Sequence, residues 1–206
     1  MATTASPYGL RPVRRADGLP YAGATSEYLI DSGYASNLYQ GQVVYITAAG
    51  YVALVTGTGA DATTNDWPTG SSSGMTGAIG VFMGCEYVNS EGQVIHSNYF
   101  PTGTTSGGND IKCYVVDDPM VLFQAQLDGA ADQGDVGANT FFAAAQSTST
   151  GNTTTGQSTS ALDATVIQTT APFRIQGFVS PTGDAYPDVL VKINPAWHSM
   201  SIDVGI

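Results

Sequence analysis

Apolar residues in this chain alternate with polar ones in short runs, and each run is soon closed by Gly, Pro, Asn, Asp or Ser. That period of two is the mark of a half-buried strand, and it leaves no stretch that could fold as a long amphipathic helix. The clearest case sets Val121, Phe123, Ala125 and Leu127 on one face and Leu122, Gln124, Gln126 and Asp128 on the other. The residue alphabet agrees: Val and Ile number 27 against 9 Leu, and 14 of the 17 acids are Asp. Helix surfaces draw on Leu, Glu, Lys and Ala, and sheets on β-branched and aromatic residues. Gly, Ser and Thr make up 66 of the 206 residues, so turns must be frequent.

Strands are expected at 27–30, 42–47, 51–56, 77–88, 93–100, 111–117, 120–128, 162–169, 173–179, 188–193 and 200–204. The pair 42–47 and 51–56 reads as a hairpin, Gly80 and Gly84 as bends or bulges, and Asp118-Pro119 as a turn. Residues 129–146 fit either a turn or a short helix, followed by either a strand or a short helix. About eleven short strands at 8–12-residue spacing predict an all-β body, a β-sandwich or a barrel. The length suits one domain.

Residues 1–24 read differently, as an extended arm preceding a single body at 25–206. Pro7, Pro12 and Pro20 exclude a helix or a central strand there. Tyr8, Leu10, Val13 and Leu19 interleave apolar anchors with Arg11, Arg14 and Arg15. Residues 1–15 therefore carry +3 and the remainder −14, within a net charge of −11. A solvated tail would account for the prolines and glycines. An arm docking on another surface, its arginines meeting carboxylates there, would also account for the interleaving. Long loops are expected at 57–76, 101–110 and 147–160; the last, a Ser/Thr/Gly tract without an apolar residue, reads in isolation as flexible.

Charge narrows the possible functions. With six basic residues, a broad phosphate-binding surface is not expected. A membrane span needs about 20 consecutive apolar residues, and the longest apolar stretch, 43–55, is cut by Thr47 and Gly50. The N-terminus lacks the apolar core of a signal peptide. A soluble chain, made and used in a cytoplasm or in something assembled there, is the expectation.

Chemical motifs are weak. Gly70-Ser71-Ser72-Ser73-Gly74 matches a nucleophile elbow but lacks the strand and helix that an elbow requires. Gly57-Thr58-Gly59-Ala60-Asp61-Ala62 matches a dinucleotide fingerprint, but Thr63-Thr64-Asn65-Asp66-Trp67-Pro68 follows instead of a helix. Asp128, Asp132 and Asp135, and the adjacent Asp117 and Asp118, read as surface carboxylates without calcium-loop spacing. His96 and His198 have no acid–base partner visible in the sequence. Cys85 and Cys113 lack zinc spacing; they read as buried reduced thiols or, alternatively, as a disulfide between adjacent strands. No catalytic residue, cofactor or metal is expected.

Several blocks carry a resemblance. Pro7-Tyr8-Gly9-Leu10-Arg11-Pro12-Val13 resembles the opening of a group of tailed-bacteriophage structural proteins, in which such an arm leads into a β-rich body. Gly80-Val81-Phe82-Met83-Gly84-Cys85-Glu86-Tyr87, Asp117-Asp118-Pro119 and residues 123–129 are similar too. So are Arg174-Ile175-Gln176-Gly177-Phe178-Val179 and Asp188-Val189-Leu190-Val191-Lys192-Ile193-Asn194. The resemblance implies a non-enzymatic virion protein: a decoration, or cement, protein on the outer surface of an HK97-type capsid. Its partners would be the major capsid protein and its own copies, a trimer in preference to a dimer. Tyr8, Leu10, Arg11, Pro12, Val13, Arg14, Arg15 and Leu19 would form the capsid-binding arm. A tail, head-fibre or receptor-binding module is the alternative; an enzyme on a β-scaffold would need convergent carboxylates that the sequence does not display.

Overall fold

The computed structural model describes residues 4–59, 77–106, 110–165 and 171–201. Among them lie fifteen strands, three single-turn 3-10 helices and no α-helix, so the chain is all-β. The strands are β1 (Arg11–Arg15), β2 (Ser26–Ile30), β3 (Leu38–Tyr39), β4 (Val43–Ile46), β5 (Val52–Leu54), β6 (Gly80–Val88), β7 (Val94–Ser97) and β8 (Tyr99–Phe100). They continue as β9 (Ile111–Val116), β10 (Val121–Gln126), β11 (Asn139–Thr140), β12 (Gly151–Asn152), β13 (Gln157–Ser158), β14 (Phe173–Phe178) and β15 (Asp188–Ile193).

Two antiparallel sheets form the body. One has five strands in the order β1-β10-β15-β14-β11. The other has six: β2-β9-β6-β4-β5, with β7 folded back on β6 as a hairpin. Each sheet ends in edge strands, so the described body is a stack of open sheets and not a closed barrel. The short pairs β3–β8 and β12–β13 lie outside both sheets.

The order of the layers follows from which side chains share a core. Phe123, Ala125, Ile175, Val189 and Val191 of the five-stranded sheet pack with Val43, Val81 and Val116 of the six-stranded one. Their neighbours Val44, Phe82 and Val115 point the opposite way, into a second core with Leu38, Phe100 and Ile111. The six-stranded sheet is therefore covered on both faces at its centre. This explains the doublets Val43-Val44, Val81-Phe82 and Val115-Val116, which break strict alternation: a strand buried on both sides has no polar face. By contrast β15 alternates buried and half-buried residues along its length.

Two buried amides knit loops into these layers. The Gln146 side chain accepts from Val43 N at 3.0 Å and donates to Val55 O at 2.9 Å. Gln42 Oε1 accepts from Tyr39 N at 2.8 Å while its Nε2 donates to Thr150 Oγ1 at 2.9 Å. Both amides are almost fully buried, so these bonds replace water for backbone groups that would otherwise be orphaned. The second amide also ties down the 147–160 tract, which folds as the β12–β13 hairpin instead of standing alone. Gly151 lies against the ring of Tyr39, where a Cβ would come within 2.1 Å of Cδ2.

Elsewhere the expected strand at 93–100 divides at Asn98 into β7 and β8, because the two halves pair with different partners, β6 and β3. The expected strand at 200–204 begins within a 3-10 turn, Ser199–Ser201, and its remainder lies outside the described residues, as do 166–169 of the expected strand 162–169. Within the latter, Leu162 makes isolated bridges to Leu127 and Phe142. The ambiguous region 129–146 holds the 3-10 turn Gln133–Asp135 and then β11.

Candidate functional site

The N-terminal segment lies on its own body. Gly9 N donates to Ser160 O at 3.1 Å and Leu10 N to Gly41 O at 2.9 Å. Arg11–Arg15 then pairs with β10 as the outermost strand of the five-stranded sheet. Pro12 fits an edge strand because an edge tolerates the missing N–H, and the register slips between Pro12 and Arg14, a bulge centred on Val13. Past the Asp17-Gly18 turn, Arg15 N donates to Leu19 O at 2.9 Å and Arg14 bridges Pro20, so the chain returns along β1.

This route separates the eight arm residues by role. Leu10, at 1% exposure, belongs to the main core with Phe123 and Val43. Tyr8 is half-buried; its hydroxyl donates to Asp188 Oδ1 at 3.0 Å, and Gln124 Nε2 donates to the other carboxylate oxygen at 3.1 Å. Burial, then the Asp188 charge, push the Tyr8 phenol well above its usual range, so it stays neutral. Arg11 lies over the Tyr8 ring, 4.6 Å from its centroid. Arg15 is held by Asp17 and Asp118. Val13 (42% exposed), Leu19 (59%) and Arg14 face solvent, and Arg14 forms no ion pair among the described residues.

Beside this strand is a groove of about 390 Å³. Tyr8, Leu10, Arg11, Pro12 and Tyr21 form one wall, and Gln40, Gly41, Met83 and Gln157 the other. Beside it two backbones approach closely: a Cβ at Gly9 would lie 2.6 Å from Gly41 O, and one at Gly41 would lie 2.9 Å from Tyr8 O. The structure thus places Tyr8, Leu10, Arg11 and Pro12 around one concavity, with Val13, Arg14 and Leu19 on the adjoining edge. Sequence reasoning does not find the far wall. Gln40, Met83 and Gln157 belong to three distant segments, and their joining depends on Ser158 N donating to Gln40 O and Gly41 N to Phe82 O, both at 2.9 Å.

The remaining candidates have structural roles. Asp132 and Asp135 form a capping box on the 3-10 turn, and Asp128 accepts from Ala164 N at 2.8 Å. Asp117 accepts from Tyr28 Oη at 2.8 Å, and Asp118 from Met120 N at 2.8 Å. Among the described residues no three His, Cys, Asp or Glu converge as a metal site, and no helix is long and apolar enough to cross a membrane. The motif at Gly70–Gly74, the last three residues of the motif starting at Gly57, and most of the expected loop 57–76 lie outside the described residues. Comparison with family models, curated proteins and solved structures found no match.

His198 is buried beside Ala78, and its Nδ1 accepts from Met200 N at 3.2 Å, so the neutral ring carries its proton on Nε2. Burial pulls its pKa down from 6.5 to about 4 against the opposing pull of Asp117 and Asp118. The unfolded chain therefore binds this proton first. Stability from this group is complete above pH 6.5 and is lost as pH falls towards 4, at a cost of about 3 kcal/mol. Urea unfolding at pH 7 and pH 4 should show His198→Gln losing about 3 kcal/mol less than the parent over that interval; equal losses would remove His198 from the acid response.

Proposed function

We propose that the chain is a non-enzymatic decoration protein on the outer surface of an HK97-type bacteriophage head. The β1 edge docks on the major capsid protein, and the β-body associates with its own copies, as a trimer in preference to a dimer. The observation that carries this reading is the edge itself. Three of the six basic residues lie on one outermost strand, beside the exposed Val13 and Leu19, on a body that is otherwise at −14. The sequence blocks that resemble phage structural proteins support it, and the block at 7–13 leads into this edge and overlaps it at 11–13. A ligand that binds only the assembled shell stabilises that shell by mass action, and an oligomer multiplies the effect by presenting several docking strands at once.

The docking element is an edge strand with Arg11, Val13 and Arg14 exposed, joined by Leu19 on the chain that returns along it. Leu10 anchors it in the core and Arg15 fastens it through Asp17 and Asp118; Val13, Arg14 and Leu19 make the contacts, with Arg11 lining the groove. Deleting the whole segment would remove Leu10 from the core and confound folding with binding, so point substitutions make the better test. Val13→Asp combined with Arg14→Ala is expected to weaken cosedimentation with assembled capsids at least tenfold while leaving the melting midpoint within a few degrees, since surface changes cost little stability. Raised salt should weaken the parent in part, because the apolar contacts persist. Parent-like binding by the double variant rejects the edge-strand reading, and label at a single vertex of the virion favours a tail or fibre module.

A further inference from the structure

We propose that Cys85 and Cys113 constitute a latent cross-strand disulfide site, at which a peroxide can join β6 to β9 without unfolding the chain. Three observations carry this. First, the two residues stand directly opposite each other in the antiparallel β6–β9 register. Opposed residues in such a pair have Cα atoms about 4.5–5.5 Å apart, within the span of about 4.4–6.8 Å that a disulfide bridges. Second, both side chains enter the same core, the one shared with Phe82 and Ile111, so their sulfurs lie on one face of the sheet. The register slip between Phe82 and Gly84, immediately before Cys85, adds local twist at this pair. Third, Cys85 borders a surface depression of about 230 Å³ with Met83, His96, Asn98 and Tyr114. Both side chains are buried, Cys85 at 2% exposure and Cys113 at 0%, so an oxidant reaches Cys85 only through local opening of the strand beside this depression.

The chemistry balances with peroxide as the oxidant. The Cys85 thiolate attacks one peroxide oxygen; the O–O bond breaks, giving a sulfenic acid and hydroxide, which takes up a proton. The Cys113 sulfur then attacks the Cys85 sulfur, the S–O bond breaks, and the second oxygen leaves as water with the Cys113 proton. Two thiols are oxidised and one peroxide is reduced to two waters. Burial pushes both thiols up to about 12, so the thiolate is scarce at neutral pH and the first step is slow. The protein thus keeps free thiols under reducing conditions and closes the staple only on sustained exposure. The cost within the fold is one weak bond, from Cys85 Sγ to Tyr99 O at 3.4 Å.

The test treats the folded full chain with hydrogen peroxide at neutral pH, quenches with catalase, and alkylates under denaturing conditions before peptide mapping. Alkylatable cysteines are expected to fall from two to none, with one Cys85–Cys113 linked peptide and full recovery after dithiothreitol. The linked protein should melt about 7–14 °C higher, the gain expected for closing a loop of this size in a chain of this length. Sulfinic acid at Cys85 with Cys113 still alkylatable would overturn the proposal. So would linkage only between chains, or a lowered melting midpoint in the linked form. In Cys113→Ala, Cys85 should proceed to sulfinic acid for want of a partner; if that variant does not fold, the linked peptide from the parent decides.

Discussion

Gly80→Ala is expected to cost more than about 4 kcal/mol, a large share of the stability of an ordinary domain. A Cβ at this position would lie 2.1 Å from Val116 O and 2.8 Å from Val116 C. Both are backbone atoms of β9, the strand that packs most extensively on β6 among the described residues. Neither can give way as the end of a flexible side chain would. Relief requires β6 and β9 to separate, and those strands carry Val81 and Val116 into one core and Phe82 and Val115 into the other. The effect should therefore appear as a melting midpoint lowered by about 8–16 °C, or as insoluble protein. Gly177→Ala is the matched control, since a Cβ in that strand meets nothing within 4 Å, and it should change the midpoint by no more than about 2 °C. A Gly80→Ala protein that melts like the parent would mean that the β6–β9 contact is not as close as described.

The same strands show how much of the fold is legible in the sequence. Period-two patterning locates β2, β4, β5, β6, β9, β10, β14 and β15, because each presents at least one apolar face to a large core. It runs β7 and β8 together as one strand, and it does not locate β3, β11, β12 or β13. These are two residues long, and each exists through its partner: Leu38 pairs with Phe100 and Asn139 with Arg174 across long sequence separations. The tract at 147–160 shows this most clearly. It has no apolar residue, so hydrophobic patterning is silent, yet it is anchored by Gln42, Gln40 and the packing of Gly151 on Tyr39. The arm is a mixed case. Its prolines correctly exclude a helix and a central strand, and an edge strand satisfies that constraint as well as a free arm does. The asymmetry of charge is plain in the sequence; that Arg15 meets Asp118 of its own body, and that Arg11 stacks on Tyr8, is not.

The second large effect is expected at Gly9, where the N-terminal segment is fastened to the body. Its φ is +73°, a conformation that costs a side-chain-bearing residue about 1–2 kcal/mol. An added Cβ would also lie 2.6 Å from Gly41 O and 2.7 Å from Ser158 Cβ. With overpacking typically adding about 1–3 kcal/mol, Gly9→Ala should cost about 3–4 kcal/mol. The loss differs in kind from that at Gly80. Gly9 precedes both Leu10 and β1, so the favoured relief is partial release of the segment from β10 while the remaining sheet persists. Trypsin reports this directly, because Arg14 and Arg15 lie on that segment, whereas the bond after Arg11 is blocked by Pro12. Cleavage there should accelerate by roughly a hundredfold if about 3 kcal/mol of the segment's docking is lost and opening is fast relative to cleavage. Cleavage after Arg174, in the interior strand β14, should change far less. If both sites accelerate equally, the segment and body unfold as one unit, and β1 is then a structural strand of the sheet with no independent freedom to adjust on a partner. If only the N-terminal sites respond, the edge can detach and re-dock by itself, as a strand that grips a second surface must.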